Sequence, residues 1–414
     1  MSLTGALLAH ARAALANLLR FEAPADQALS RYFRSHRNLG QNERAFIAEA
    51  LFAVLRRKRS LEAAAGSAEP QALLAAALLR VQGLSARTLH GLVEDDLARR
   101  IRAAPLDAMP PAIRADLPDW LWDRLSAQYG EGEALRIAQG LLNPAPLDLR
   151  VNLARIEREA ARARLAADGI EAADTPYSPC GLRLAGKPAI NRHRLFAEGL
   201  VEVQDEGSQL LVWLLAPRRG EMIADYCAGA GGKTLAAAML MRGTGRVYAM
   251  DVSAKRLAAL APRAARAGIT NVHALALGDA DARARRLAGK LHRVLVDAPC
   301  SGFGTLRRNP DLKWRHGPQA LAQLTAKQRL ILAAAARLVK PGGRLVYATC
   351  SILGDENDAV VDDFAREHAE FRPLSCAELL AAQRIALDTG ERLRLFPHRH
   401  GTDGFYAAAF ERFA

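Results

Sequence analysis

The chain has 414 residues, half of them hydrophobic and 24% charged, with 57 Lys and Arg against 44 Asp and Glu and a formal net charge of +13. That length allows two or three domains with proper cores, and the balance is that of an ordinary soluble globular protein. The five cysteines are scattered and form no CxxC pair, which excludes a disulfide framework or a zinc finger and fits reduced thiols in the cytoplasm.

Arg12 and Arg20 interrupt the first helical pattern before any long apolar core, so a secretory signal is not expected, and no run reaches membrane-spanning length. Residues 1–138 read as an all-α domain. Apolar residues recur at helical spacing from Ala6 to Leu19 and from Ala45 to Leu55, and Gln71–Leu79 is a buried-looking run. Pro105, Pro110, Pro111 and Pro118 break the chain before a helix near Trp120–Tyr129. Arg56-Arg-Lys-Arg59 is expected to close the second helix as a solvated, dipole-compensating end that is also available to RNA.

Residues 139–205 form a small α/β module, with a strand at Leu147–Val151, a polar helix from Arg155 to Asp168 and extended segments up to Val203. Beyond, apolar runs at Met222–Asp225, Arg246–Met250, Val272–Leu277, Arg293–Asp297 and Arg344–Thr349 alternate with Ala- and Leu-rich helices. This is a βαβ series, so 206–414 should be a Rossmann-like, doubly wound parallel sheet with a late antiparallel strand at Phe405–Phe410. Residues 206–414 carry a net +10, and the rest of the chain +3. A basic excess there suits a polyanionic substrate, although an Arg-rich GC-rich genome explains basic composition equally well.

Asp225-Tyr-Cys-Ala-Gly229-Ala-Gly231-Gly232-Lys233-Thr234 follows the first of these strands and leads into a helix. A P-loop would need Gly at 227, which is Cys, and the glycines are misplaced for a dinucleotide fingerprint. An S-adenosylmethionine site remains. Asp251 stands about twenty residues on, where an acid meets ribose hydroxyls. Asp279 follows the third strand, within reach of an adenine amine, and Asp297 ends the fourth. Helix capping is the bland reading for Asp251 and Asp279, and it explains the set less well than a cofactor does.

Two thiols stand at strand ends, in Asp297-Ala-Pro-Cys300-Ser301 and Thr349-Cys350-Ser351. Carbon 5 of cytosine is not nucleophilic until a thiolate adds to carbon 6. Its methylation therefore calls for an accessible Cys, a carboxyl group at the base edge and a second group near carbon 5. Cys350, Cys300 and Asp297 supply these types, and residue chemistry alone leaves open which thiol attacks. Arg307-Arg308 with Lys313-Trp314-Arg315 combines charge and an aromatic ring, as phosphate holding and base stacking require, unless Trp314 is folded into a core.

The chain resembles the RsmB-type 16S ribosomal RNA cytosine-C5 methyltransferases of the RsmB/NOP family. The likeness rests on Gln204-Asp-Glu206-Gly-Ser208-Gln209, the 225–234 loop, Asp251 with Arg256-Leu257, and Asp297-Ala-Pro-Cys-Ser-Gly302. It continues through Arg308-Asn-Pro-Asp311-Leu-Lys313-Trp314, Thr349-Cys-Ser351 with Glu356-Asn357, and Gly401-Thr-Asp-Gly404-Phe405. It implies a NusB-like RNA-binding N-terminal domain and methyl transfer from S-adenosylmethionine to an unpaired or flipped cytosine of 16S rRNA by a monomer without metal. Cys350 is then the nucleophile and Cys300 assists product release, with Asp297 and Lys233 at the active centre. Cys227, Ala228, Gly229, Ala230, Gly231, Gly232, Lys233, Asp251, Arg256, Asp279 and Asp297 hold the cofactor. Where the family has Ala-Pro-Gly-Gly-Lys, this chain has Gly229-Ala230-Gly-Gly-Lys233, a more flexible loop that keeps its amides. A transfer-RNA substrate, or an assembly factor without catalysis, are the rival readings.

Overall fold

The computed structural model describes residues 3–278 and 282–413. The chain divides into two compact units, one of residues 1–144 with 305–320 and one of 145–304 with 321–414.

The first unit is helical, as expected, with helices at Gly5–Leu18, Gln41–Arg56 and Pro70–Arg80 over the predicted runs. Thr4 caps the first by accepting from Leu7 N, and Pro70 opens the third, where a missing N–H is harmless. Their Ala and Leu faces share one core with Ala25–Ser35 and Asp95–Ala103.

Arg56–Arg59 does not form the solvated helix end expected of it. The backbone breaks at Arg57 and a new helix, Lys58–Ala65, starts at once. Lys58 then pairs with Glu62 (2.5 Å), and Arg59 donates to the Leu117 carbonyl and to Asp119 (2.6 Å each).

The 305–320 segment is bound to this same break. The last carbonyls of a helix lack intrahelical partners. Here Trp314 Nε1 donates to the Leu55 carbonyl (2.8 Å) and Lys313 Nζ to that of Arg56 (2.7 Å), while Arg56 donates to the Arg307 carbonyl (3.0 Å). Trp314 is thereby engaged in the helical unit rather than offered as a stacking platform. Burial lowers the Lys313 ammonium from its usual 10.5 to about 7, against the opposing pull of Asp116.

In the second unit, strands β1 (Leu147–Val151), β2 (Ala172–Asp174), β3 (Gly181–Leu184) and β4 (Val201–Val203) form an antiparallel sheet in the order β2-β3-β1-β4. The Arg158–Ala167 helix covers it through Ala161 and Leu165.

The main sheet has eight strands among the described residues: β5 (Met222–Asp225), β6 (Arg246–Asp251), β7 (Val272–Ala276), β8 (Leu291–Asp297), β9 (Val339–Thr349), β10 (Phe371–Leu374), β11 (Leu393–Leu395) and β12 (Phe405–Arg412). Its order is β10-β12-β9-β8-β5-β6-β7, with β11 also on β12. From β9 to β7 the pairs are parallel, and β12 is antiparallel to β9. The short edges β10 and β11 have no apolar run of their own to announce them. The strand order reverses between β8 and β6 around β5, so the carboxyl ends of β5, β6, β8 and β9 open on a topological switch point, where open α/β sheets bind ligands.

Candidate active site

Each element of the site grows from one of these strand ends. After β5 the chain turns through the glycine loop into the Gly232–Leu240 helix. Gly231 has φ +85°, and a Cβ there would lie 2.2 Å from Leu260 Cδ1, so the turn requires glycine. Side chains hold the rest of the loop. Gly229 N donates to Asp251 Oδ2 (2.8 Å), Arg263 donates to the Ala230 carbonyl (2.6 Å) and Arg150 to that of Gly232 (2.7 Å). Arg150 comes from β1 and is buried, and β4 contributes Glu202, which pairs with Arg263 (3.0 Å) and Arg266. The small sheet thus braces the loop in place of the missing proline.

Asp225 accepts from Thr234 Oγ1 (2.7 Å) through Oδ2, whereas its Oδ1 is buried without a hydrogen-bond partner. Burial raises its carboxyl to about 6, only partly countered by Thr234. An orphaned, desolvated carboxylate oxygen beside the glycine loop fits the ammonium of an amino-acid cofactor. Asp251 accepts from Gly229 N and Ser253 N (2.8 Å each), which leaves lone pairs for ribose hydroxyls, and Arg256 lies 3.5 Å from it.

Cys227, Asp251, Arg256, Asp297, Cys300 and Cys350 line a single cavity of 460 Å³. Six of the predicted site residues therefore share one chamber, while Ala228–Gly232 are not among its lining. Asp279, the predicted adenine partner, lies outside the described residues. Lys233 Nζ reaches Asp297 Oδ2 at 2.7 Å. Burial alone would lower the Lys233 ammonium, but the charge and hydrogen bond of Asp297 outweigh it, and the lysine is raised and held charged.

The two thiols meet: Cys300 Sγ and Cys350 Sγ are 3.4 Å apart. Cys300 is pushed well up by the hydrogen bond it shares with Cys350, then by burial and by the charges of Cys350 and Glu356. Cys227 is raised by burial and by Asp225, Asp297 and Asp251, so it stays a thiol. Cys180 and Cys376 are buried away from the cavity, as structural cysteines are.

Several contributors carried no distinct signal in the sequence. Arg150 and Arg263 look like ordinary surface charges until the fold closes. Glu356 stood in a motif without a role, although a serine directly after each cysteine was a hint. The Cys350 carbonyl accepts from Gly304 N (2.8 Å), and a Cβ on Gly304 would sit 2.0 Å from the Gly404 carbonyl oxygen, which explains the glycines at both places.

A doubly wound sheet whose switch point holds a glycine loop, a ribose-type acid and a reactive cavity defines an S-adenosylmethionine-dependent methyltransferase. The family model described as 16S rRNA methyltransferase RsmB/F matches residues 212–411, and a ferredoxin-like domain of RsmF/B-like methyltransferases matches 117–191. The probable ribosomal RNA small subunit methyltransferase B of Bacillus subtilis is 35% identical over 302 residues, covering 73% of this chain and 67% of that protein. The like-named protein of Synechocystis is 36% identical, covering 71% and 66%, and that of Vibrio cholerae 33% identical, covering 80% and 73%. A crystal structure of a methyltransferase homologue from Pyrococcus horikoshii is 28% identical with a TM-score of 0.62, covering 73% of this chain and 98% of that one. The chain belongs to the RsmB/F family of 16S ribosomal RNA methyltransferases.

Proposed function

We propose that the protein methylates carbon 5 of a cytosine in 16S ribosomal RNA through a covalent bond between Cys350 and carbon 6. The observation that carries this is the pair of thiols, 3.4 Å apart in the cavity that also contains Asp251 and Asp297. A methyltransferase acting on oxygen or nitrogen needs no such pair.

The cofactor, held by the glycine loop, Asp225 and Asp251, supplies an electrophilic methyl group. The chain's own residues do the rest. Cys300, pushed up, keeps its proton in the resting site, and Cys350 is the sulfur proposed to attack. The Lys233 ammonium lies within electrostatic reach of Cys350, so charge gathering on that sulfur has a cation nearby. As the thiolate adds to carbon 6, the carbon 5–carbon 6 double bond opens, and the Lys233–Asp297 pair provides the proton taken up at N3. Once Cys350 is a neutral thioether, neither its charge nor its hydrogen bond opposes ionisation of Cys300. Carbon 5, now nucleophilic, takes the methyl group, and Cys300, its own proton given up to water, removes the carbon 5 proton. The double bond re-forms as Cys350 leaves as a thiolate, and the N3 proton returns to the Lys233–Asp297 pair. The target must be unpaired or flipped, because a stacked helix shields carbon 6.

The test is methylation of 16S rRNA and of small ribosomal subunits with labelled cofactor, followed by digestion to nucleosides and mass spectrometry. The expected product is 5-methylcytidine. A label on nitrogen, on a ribose hydroxyl or on another base would overturn the reading.

A further inference from the structure

The ladder between β8 and β9 ends close to the bond from Ala298 N to the Ala348 carbonyl (2.9 Å), short of both thiols. Beyond it, one backbone bond, from Gly304 N to the Cys350 carbonyl (2.8 Å), still joins the two loops, and side chains supply the other links at the serines beside the thiols. Glu356 is fully buried and reaches both. Its Oε1 accepts from Ser301 N (2.8 Å) and Gln328 Nε2 (3.0 Å), and its Oε2 from the hydroxyls of Ser301 and Ser351. Those serines directly follow Cys300 and Cys350. Gln328 also donates to the Pro299 carbonyl (2.9 Å), just before Cys300.

The surrounding backbone is fixed by the same short stretch. Tyr347 donates its hydroxyl to the Glu356 carbonyl (2.7 Å), and Asn357 accepts from Thr349 Oγ1 (2.6 Å) while donating to the Ser351 carbonyl (3.1 Å). A buried carboxylate is tolerated only with its lone pairs filled, and here the four donors are neutral and come from the elements that must stay in register.

We infer that Glu356 is a positioning residue that clamps the Cys300 and Cys350 loops at the separation the two-thiol reaction needs. The inference rests on that proposed reaction, yet the clamp can be measured without it. With Gly304 N fixing one point of contact, the separation at the thiols loosens when the carboxylate can no longer serve both loops. In Glu356→Gln the four bonds lose the charge that strengthens them. An amide nitrogen in the place of Oε1 would face two donors, Ser301 N–H and the Gln328 amide, while in the place of Oε2 it would force both serine hydroxyls to turn and accept.

The experiment uses the full-length protein and dibromobimane, a probe that becomes fluorescent when it bridges two neighbouring thiols, with Cys350→Ala as the control for bridging that involves Cys227. Folding is checked by circular dichroism and cofactor affinity by calorimetry. Glu356→Gln should keep its fold and cofactor affinity and bridge about tenfold more slowly, with kcat down about a hundredfold and KM for RNA unchanged, as expected for reacting groups misplaced by an ångström. Ser301→Ala with Ser351→Ala should reproduce the loss, and these serine variants decide the matter if Glu356→Gln does not fold. A folded Glu356→Gln, or in its absence a folded double serine variant, that bridges within twofold of the wild-type rate would overturn the clamp. Slower bridging with undiminished methylation would leave the clamp standing and count against the two-thiol reaction instead.

Discussion

The Cys300 and Cys350 loops look interchangeable on paper. Each thiol follows the end of a parallel strand, each precedes a serine, and the two sulfurs are 3.4 Å apart. Their surroundings differ. Cys300 is pressed upward by its sulfur neighbour, by burial and by the Glu356 carboxylate, whereas a charged Lys233 stands within reach of Cys350. Two identical groups stand beside charges of opposite sign, which residue type alone does not reveal.

The same lesson repeats in two buried lysines. Lys233 has the Asp297 carboxylate at 2.7 Å and stays charged. Lys313, in the helical unit, meets the Arg56 carbonyl at a similar distance and is lowered to about 7. Burial is common to both, and the partner decides the outcome.

The sharpest attempt to break the contrast between the thiols removes one at a time. Cys350→Ala should lose about a thousandfold or more in methyl transfer, because the proposed bond to carbon 6 can no longer form. Activity within tenfold of wild type would mean that the thiols exchange roles.

A smaller effect is expected at the brace. Arg150→Met removes the buried, charged hydrogen bond to the Gly232 carbonyl, at a cost of about 1–3 kcal/mol. Cofactor affinity measured by calorimetry should therefore fall roughly tenfold or more, with kcat at saturating cofactor nearly unchanged. A fall in kcat at unchanged affinity would show that the small sheet acts on the reaction instead of on the loop.

The mildest prediction concerns Lys313. Its folded value lies near 7 and its unfolded value near 10.5, so between those limits the unfolded chain binds more protons and stability rises with pH. The melting temperature should climb by a few degrees through that window, and Lys313→Met should flatten the climb. An unchanged slope in the variant would assign it to other groups.

Much of this was legible in the sequence wherever local pattern and function coincide. The parallel strands are apolar runs, and their carboxyl ends carry the cysteines, Asp251 and Asp297, so the site could be assembled before the fold was seen. What stayed hidden depends on partners distant in the chain. Trp314 reads as a free aromatic beside basic residues, and nothing local says that its indole N–H completes a helix end at Leu55. Glu356 reads as a polar residue after a strand until two loops, one of them 55 residues away, are found on the same carboxylate. Arg56–Arg59 reads rightly as a helix end, but nothing local says that a second helix starts at Lys58 or that carbonyls and carboxylates take up these charges.

The central claim is that one thiol bonds to the base and the other releases it. The most direct measurement incubates Cys300→Ala with 16S rRNA and cofactor and resolves the mixture on a denaturing gel. A slow-migrating protein–RNA band should accumulate, and it should vanish in the Cys300→Ala, Cys350→Ala double variant. Normal turnover without a band, or a band that persists when Cys350 is absent, would contradict it.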